Sequence, residues 1–314
     1  MATKKTSKKA TAVKSSATKK MTKSETTTVV KTVAKAPNFK SDSFKLDTKL
    51  PKNLVNIVIA EVVGTFILTL AALFSASILS PLYVGLALML IVMAVGAVSG
   101  AHVNPAVTFG LWTMRKLKTV LVPFYWGSQF LGAMAAVILI GTLTNNGFSV
   151  DFGKFMNFSW NIFALELVGA AVFMFGIAAI ISRKDLKPAG QALGIGMSLA
   201  IALVTAGTLY PFIQSTAVAN MQKEQAKNTS ANAEKTERTY PREVYVGGAT
   251  LNPAVALATT EKTDTQLQSS NPLTAEGEKA YSRLSLEVIS ATLIGAALGG
   301  NLFLLVNYRN KTEE

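Results

Sequence analysis

Gly100-Ala101-His102-Val103-Asn104-Pro105-Ala106-Val107 and Gly248-Ala249-Thr250-Leu251-Asn252-Pro253-Ala254-Val255 carry the same local instruction twice. In each, small residues lead to an asparagine, and proline follows it. Asparagine at an N-cap accepts a bond from a backbone N–H of its own first turn. Proline at N1 gives up a donor that has no helical partner in any case. Each tripeptide, Asn104-Pro105-Ala106 and Asn252-Pro253-Ala254, therefore predicts an abrupt helix start. The helices so begun, over 104–112 and 252–260, stay apolar for about two turns, too short to cross a bilayer core of about 30 Å.

The surroundings of these stretches are strongly apolar. Of 314 residues 50% are hydrophobic and 16% charged, and the mean hydropathy is +0.35. Uninterrupted apolar runs predict an all-α polytopic membrane protein with spans near 53–79, 82–98, 120–143, 162–181, 190–213 and 284–306. Cysteine is absent and there is one histidine, so neither a thiolate site nor a multi-histidine metal site is expected. No nucleophile–base pair stands out. No catalytic residue, metal or cofactor is expected, and an enzyme is set aside.

The runs repeat. Ala60-Glu61-Val62-Val63-Gly64-Thr65 in the first span returns as Leu165-Glu166-Leu167-Val168-Gly169-Ala170 in the fourth. Gln129-Phe130-Leu131-Gly132-Ala133 in the third is echoed by Thr292-Leu293-Ile294-Gly295-Ala296 in the sixth. The chain thus divides into repeats 53–143 and 160–308, each with three spans and one half-helix. Three is odd, so the repeats insert with opposite orientation and their special site lies at the repeat interface. The half-helices then meet N-terminus to N-terminus. Irregular backbone at that depth must line a cavity or be buried in protein. The two positive dipole ends disfavour cations there. The asparagine amides offer donors, and the carbonyls of 100–103 and 248–251 offer a ladder of acceptors. These parts predict a pore for neutral hydroxylic or polar solutes.

Glu61 and Glu166 lie inside apolar spans, so they must face protein or water. Neither has a Lys or Arg nearby in sequence, so a structural role is favoured over a proton relay. His102 is read as a structural hydrogen-bonder ahead of a pH gate. Gly64, Gly132, Gly169 and Gly295 are read as helix-packing contacts.

Charge is concentrated outside the spans. Residues 1–52 hold fourteen lysines against Glu25, Asp42 and Asp47, a balance of 14 − 3 = +11 out of +13 for the chain. This Lys/Thr-rich stretch reads as a disordered cytoplasmic tail. No apolar core follows its lysines, so it does not read as a secretory signal. Contact with anionic lipid ranks second. Unspecific phosphate pairing ranks third, and specific nucleic-acid binding is not expected, because no aromatics are interleaved. Arg115, Lys116, Lys118, Arg183, Lys184, Lys187, Arg309 and Lys311 fall on the same side as the tail. That side should be cytoplasmic, with both termini there and the chain multi-pass in the cell membrane. Polar insertions at about 214–243 and 261–280 are then placed outside or in loops, and 309–314 is a C-terminal tail. The first insertion reads as a loop or a lid, and its Asn228-Thr229-Ser230 is a glycosylation sequon.

At these motifs the chain resembles the major intrinsic protein family, the aquaporins and glycerol facilitators. The resemblance covers about 53–306. It is carried by Ala60-Glu61-Val62-Val63-Gly64-Thr65, by Ser99 to Thr108 around the first tripeptide, by Glu166, and by Gly247 to Ala254. It implies a six-span channel with two re-entrant half-helices, a homotetramer with one pore per subunit, and water or small neutral solutes as cargo. It implies that Glu61 and Glu166 support the pore loops, to which His102 is added as a structural hydrogen-bonder. It also exposes a departure. The family usually has arginine directly after the second tripeptide, and here that position is Val255. Counting from the motifs, the other positions of the family's outer constriction are Val84, Leu203 and Ala249, which makes an apolar ring. Water-specific and glycerol-type members both carry arginine there, so a broader, less water-optimised pore is expected. Arg238 or Arg242 folding in as a replacement cation is a minor alternative. An inverted-repeat secondary transporter and a closed or structural family member stay open as other readings.

Overall fold

The structure is a computed structural model that describes residues 49–74, 79–143, 150–227, 240–268 and 281–308. The chain divides into units Met1–Lys45 and Leu46–Glu314. The first lies outside the described residues, and every helix named below belongs to the second. The sequon at 228–230, Arg238, Arg309 and Lys311 also lie outside the described residues.

Among the described residues the elements are helices, with two isolated β-bridges. In order they are α1 Leu54–Leu73, α2 Ser80–Ser99, α3 Pro105–Thr113, a 3-10 turn Thr119–Leu121, α4 Val122–Leu143, α5 Trp160–Ile181, α6 Pro188–Lys227, α7 Arg242–Tyr245, α8 Pro253–Ala258, α9 Asp264–Gln268 and α10 Leu286–Val306. Six of the helical segments are long and apolar enough to cross a membrane. They are apolar on every side, as expected of helices with protein on one face and lipid on the other. On α1 the exposed face is a stripe of Val55, Ile59, Val63 and Ile67, one residue per turn.

The packing has two-fold logic. α1 packs on α2 and α4, and α5 packs correspondingly on α6 and α10. The short helices cross between repeats, α3 against α10 and α8 against α4. Close approach needs glycine. A Cβ on Gly132 would strike the Val62 carbonyl oxygen of α1, and one on Gly295 would strike the Leu167 carbonyl oxygen of α5. Gly64 packs α1 against Ile91 of α2, and both Gly64 and Gly169 also serve the re-entrant loops. A Cβ on Gly64 would lie 2.5 Å from Val103 Cγ1, and one on Gly169 would collide with Leu251 Cδ2. Each makes room for the residue that precedes the asparagine of its own repeat.

Three element boundaries differ from the sequence reading, the first being α1, which ends at Leu73 and not near 79. α6 does not stop near Ile213 but continues to Lys227, a 40-residue helix with Pro211 inside it. At 1.5 Å per residue that is about 60 Å, roughly twice a bilayer core, so the start of the polar insertion continues the span as helix. α8 ends at Ala258, and Thr259 is extended. The chain then runs back beside the segment before α10, with Thr260 bridging Ser282.

Candidate functional site

The two tripeptides meet. Asn104 Oδ1 accepts from Ala106 N at 2.8 Å, and Asn252 Oδ1 accepts from Ala254 N at 3.0 Å. With each side-chain oxygen held this way, each amide nitrogen faces the other loop. Asn104 Nδ2 donates to Leu251 O at 2.9 Å, and Asn252 Nδ2 donates to Val103 O at 3.0 Å. An amide NH2 carries two hydrogens, so each asparagine keeps one beyond this reciprocal clasp. Val103 and Leu251 present those carbonyls from positive φ, 43° and 54°, a conformation unusual for bulky side chains. Strain of that kind persists only where surrounding contacts over-determine it. The contacts here are the neighbouring carboxylates and the space over Gly64 and Gly169.

Glu61 and Glu166 are fully buried. Glu61 accepts from Ser99 Oγ at 2.7 Å, His102 N at 2.9 Å, Val103 N at 2.7 Å and Gln129 Nε2 at 2.8 Å. Glu166 accepts from Thr250 N at 2.8 Å, Thr250 Oγ1 at 3.0 Å and Leu251 N at 2.7 Å. Its fourth donor is a charge, Arg283 Nη2 at 3.1 Å. A carboxylate with four donors is satisfied without water. His102 bonds Thr108 Oγ1 through Nδ1 at 3.1 Å, and its ring stacks on Tyr125 with centroids 4.3 Å apart.

Two cavities adjoin this centre. A wide one of about 690 Å³ is lined by Asn104, Asn252, His102 and Arg283 together with Val84, Leu203, Ala249 and Val255. A narrower one of about 220 Å³ is lined by Gly100, Ala101, Val107 and Lys116. Leu88, His102 and Phe173 line both. The structure thus brings the four residues of the predicted apolar ring to one cavity and joins it to the tripeptides. Ala106 and Ala254 are buried behind the caps. Trp126 Nε1 donates to Pro105 O at 3.1 Å. Pro253 is a buried first residue of α8. The acceptor ladder is shorter than the sequence suggests. Val103 O, Leu251 O and Gly248 O already accept from Asn252, Asn104 and Arg283, which leaves each one lone pair.

Arg283 is the residue that sequence reasoning missed. It lies two residues before the N-cap of α10 and is 4% exposed. Nη1 donates to Gly248 O at 2.7 Å and to Val246 O at 3.3 Å, while Nε has no partner. A buried donor left unmatched costs about 1–3 kcal/mol. Burial pulls the guanidinium pKa down and the nearby Glu166 and Glu261 push it up; arginine stays protonated throughout the physiological range. Two signals were available. Gln129 on α4, which serves Glu61, has as its α10 counterpart Thr292, which instead donates to Val288 O in its own helix at 2.7 Å. Glu166 therefore lacks a fourth donor from the third span of its repeat, and an arginine stands at the start of that span with no acid within three residues in sequence. Arg242, weighed as a replacement cation, is held elsewhere. Its Nε lies 2.7 Å from Glu261 Oε1, and its Nη1 lies 2.7 Å from Glu287 Oε1.

The family model described as Major intrinsic protein matches residues 47–219, more than half of the chain. The chain is 31% identical over 193 residues to Aquaporin NIP2-3 of Zea mays, covering 55% of this chain and 60% of that one. It is 31% identical over 169 residues to Aquaporin Z of Rhodopseudomonas palustris, covering 46% of this chain and 70% of that one. Against several plant relatives the matched part spans little more than half of their length, 55% to 60%. The solved structure of the aquaglyceroporin from Plasmodium falciparum aligns with TM-score 0.46 at 17% identity, over 81% of this chain and 95% of that one.

Proposed function

Because the chain belongs to the major intrinsic protein family, we propose that it is a passive transmembrane channel for water and small neutral solutes. The observation that carries this reading is the reciprocal clasp of Asn104 and Asn252 beside two cavities with shared lining residues. A solute oxygen passing the clasp meets two amide donors and the N-terminus of α3. That end of a helix carries roughly half a positive charge, which repels cations. A water that accepts from both amides points its own hydrogens away from the clasp, which opposes proton relay through that point.

The buried carboxylates support a pore over an ion-coupled transporter. Glu61 and Glu166 each hold four donors. Glu287 accepts from Ser159 N at 2.7 Å and pairs with Arg242. None of the three has an oxygen without a partner, so a coupling ion would have to displace bonds that hold the loops. The finer assignments of this reading are a homotetramer in the cell membrane, with both termini cytoplasmic and the 1–52 tail near anionic lipid. Family membership, the apolar stripe on α1 and the lysine distribution support them.

Reconstitution in proteoliposomes followed by osmotic shock tests the proposal. We expect accelerated shrinkage, read by light scattering, that is indifferent to sodium and proton gradients. Flux that saturates and requires a gradient would establish the transporter instead. No acceleration for water, glycerol, urea or ammonia would establish a closed or structural member.

A further inference from the structure

We propose that Arg283 is the specificity-determining residue of the pore, supplying from the segment before α10 the fixed positive charge and N–H donor of the wide cavity. Solutes pass it as neutral oxygen acceptors, and cations are turned back. The inference rests on the channel reading and adds to it the group that selects.

The chain places Arg283 deliberately. α8 is short, so Thr259 leaves it extended and its carbonyl accepts from Arg283 N at 2.9 Å. Thr260 bridges Ser282 beside it, and Ser282 Oγ donates to Leu257 O at 3.0 Å. These bonds fix the backbone of Arg283 against the end of the second half-helix. The side chain is 5% exposed and lines the wide cavity. Val255, Val84, Leu203 and Ala249 line the same cavity and offer no side-chain donor.

Its donors lock the head group in place. Nη1 is held by Val246 O and Gly248 O, and Nη2 by Glu166, so the guanidinium plane is set by three partners. Nε is buried with no acceptor in the protein. Sealed from the cavity, Nε adds an unmatched positive N–H to the local field, and a hydrogen of Nη2 beyond the Glu166 bond is the donor left over. The charged side chains that line the cavity have one sign. Lys262 is the other charged residue lining this cavity, and among the described residues no Asp or Glu lines it. Glu166 lies behind the loop with its oxygens on the Thr250 and Leu251 amides. The apolar neighbours lower the local dielectric, which strengthens a charge that remains.

The test compares urea with guanidinium, two planar molecules of similar size, one a neutral carbonyl acceptor and the other a cation without an acceptor. Flux of each is measured in proteoliposomes for the wild-type chain, Arg283→Gln, Arg283→Lys and Val255→Asp. The wild type is expected to pass urea and exclude guanidinium. Arg283→Gln should raise guanidinium flux by about tenfold or more, the order of effect of one unit charge at an effective dielectric of about 20. Arg283→Lys keeps the charge and should keep the exclusion. Val255→Asp sets a carboxylate in the same cavity, offsetting the charge of Arg283 without removing its carbonyl bonds, so it should also raise guanidinium flux. It serves should Arg283→Gln fail to assemble. Unchanged guanidinium exclusion in a folded Arg283→Gln or Val255→Asp protein overturns the inference while leaving the channel reading intact. A wild-type protein that passes neither water nor urea overturns the channel reading itself.

Discussion

Glu61 and Glu166 show how single residues set the geometry of a re-entrant loop. Each takes the backbone N–H groups of the last residues before its asparagine. Each has a glycine three positions on that clears space for Val103 or Leu251. Replacing Glu61 by Gln keeps the shape but turns one acceptor into a donor facing Val103 N, His102 N or Ser99 Oγ. One buried donor is then orphaned. We expect a loss of about 1–3 kcal/mol, read as a lower unfolding midpoint in detergent, with water permeability falling alongside. A fully retained midpoint would show that the loop does not depend on this carboxylate. Val255→Arg is the sharper residue-scale probe. It brings a second guanidinium to the cavity that Arg283 already lines. We expect a narrower solute range, with glycerol and urea flux reduced more than water flux. An unchanged range would mean that position 255 does not face the permeating solute.

Elements were legible in the sequence to the extent that their signals are local. The asparagine–proline starts of α3 and α8, the glutamate-glycine repeats and the six apolar runs are periodic or motif signals that need no partner to be read. The continuation of α6 past Ile213 was not legible. Its second half is polar, and its helical state sits beyond the composition change that marks the span. The end of α8 was misplaced because the chain leaves the helix to form a long-range bridge, Thr260 to Ser282. Arg283 was missed because its partners are at 166, 246 and 248, so its local signal, a cation at the start of an apolar span, does not say which groups it serves. Gly132 tests the packing at this scale. Its missing Cβ lets α4 approach the Val62 carbonyl of α1, a backbone atom that cannot rotate away. Gly132→Ala should cost about 1–3 kcal/mol as an overpacked contact. A thermal midpoint equal to wild type would show that α1 and α4 can part without penalty.

At the scale of the molecule, α1–α2–α3–α4 and α5–α6–α8–α10 are two versions of one unit whose short helices cross into the other. That exchange fixes the asparagine clasp at the junction of the repeats, where neither half could build it alone. The symmetry is broken beside the wide cavity. Repeat one closes its glutamate with the neutral Gln129, and repeat two closes it with the charged Arg283. One end of the path is therefore cationic and the centre is a pair of amides. The central claim is that this path conducts passively, and the temperature dependence of osmotic water flux through reconstituted protein tests it most directly. Passive conduction predicts an activation energy close to that of water diffusing in bulk, unchanged when sodium and proton gradients are collapsed. An activation energy equal to that of protein-free vesicles, or a flux that disappears with the gradients, would contradict it.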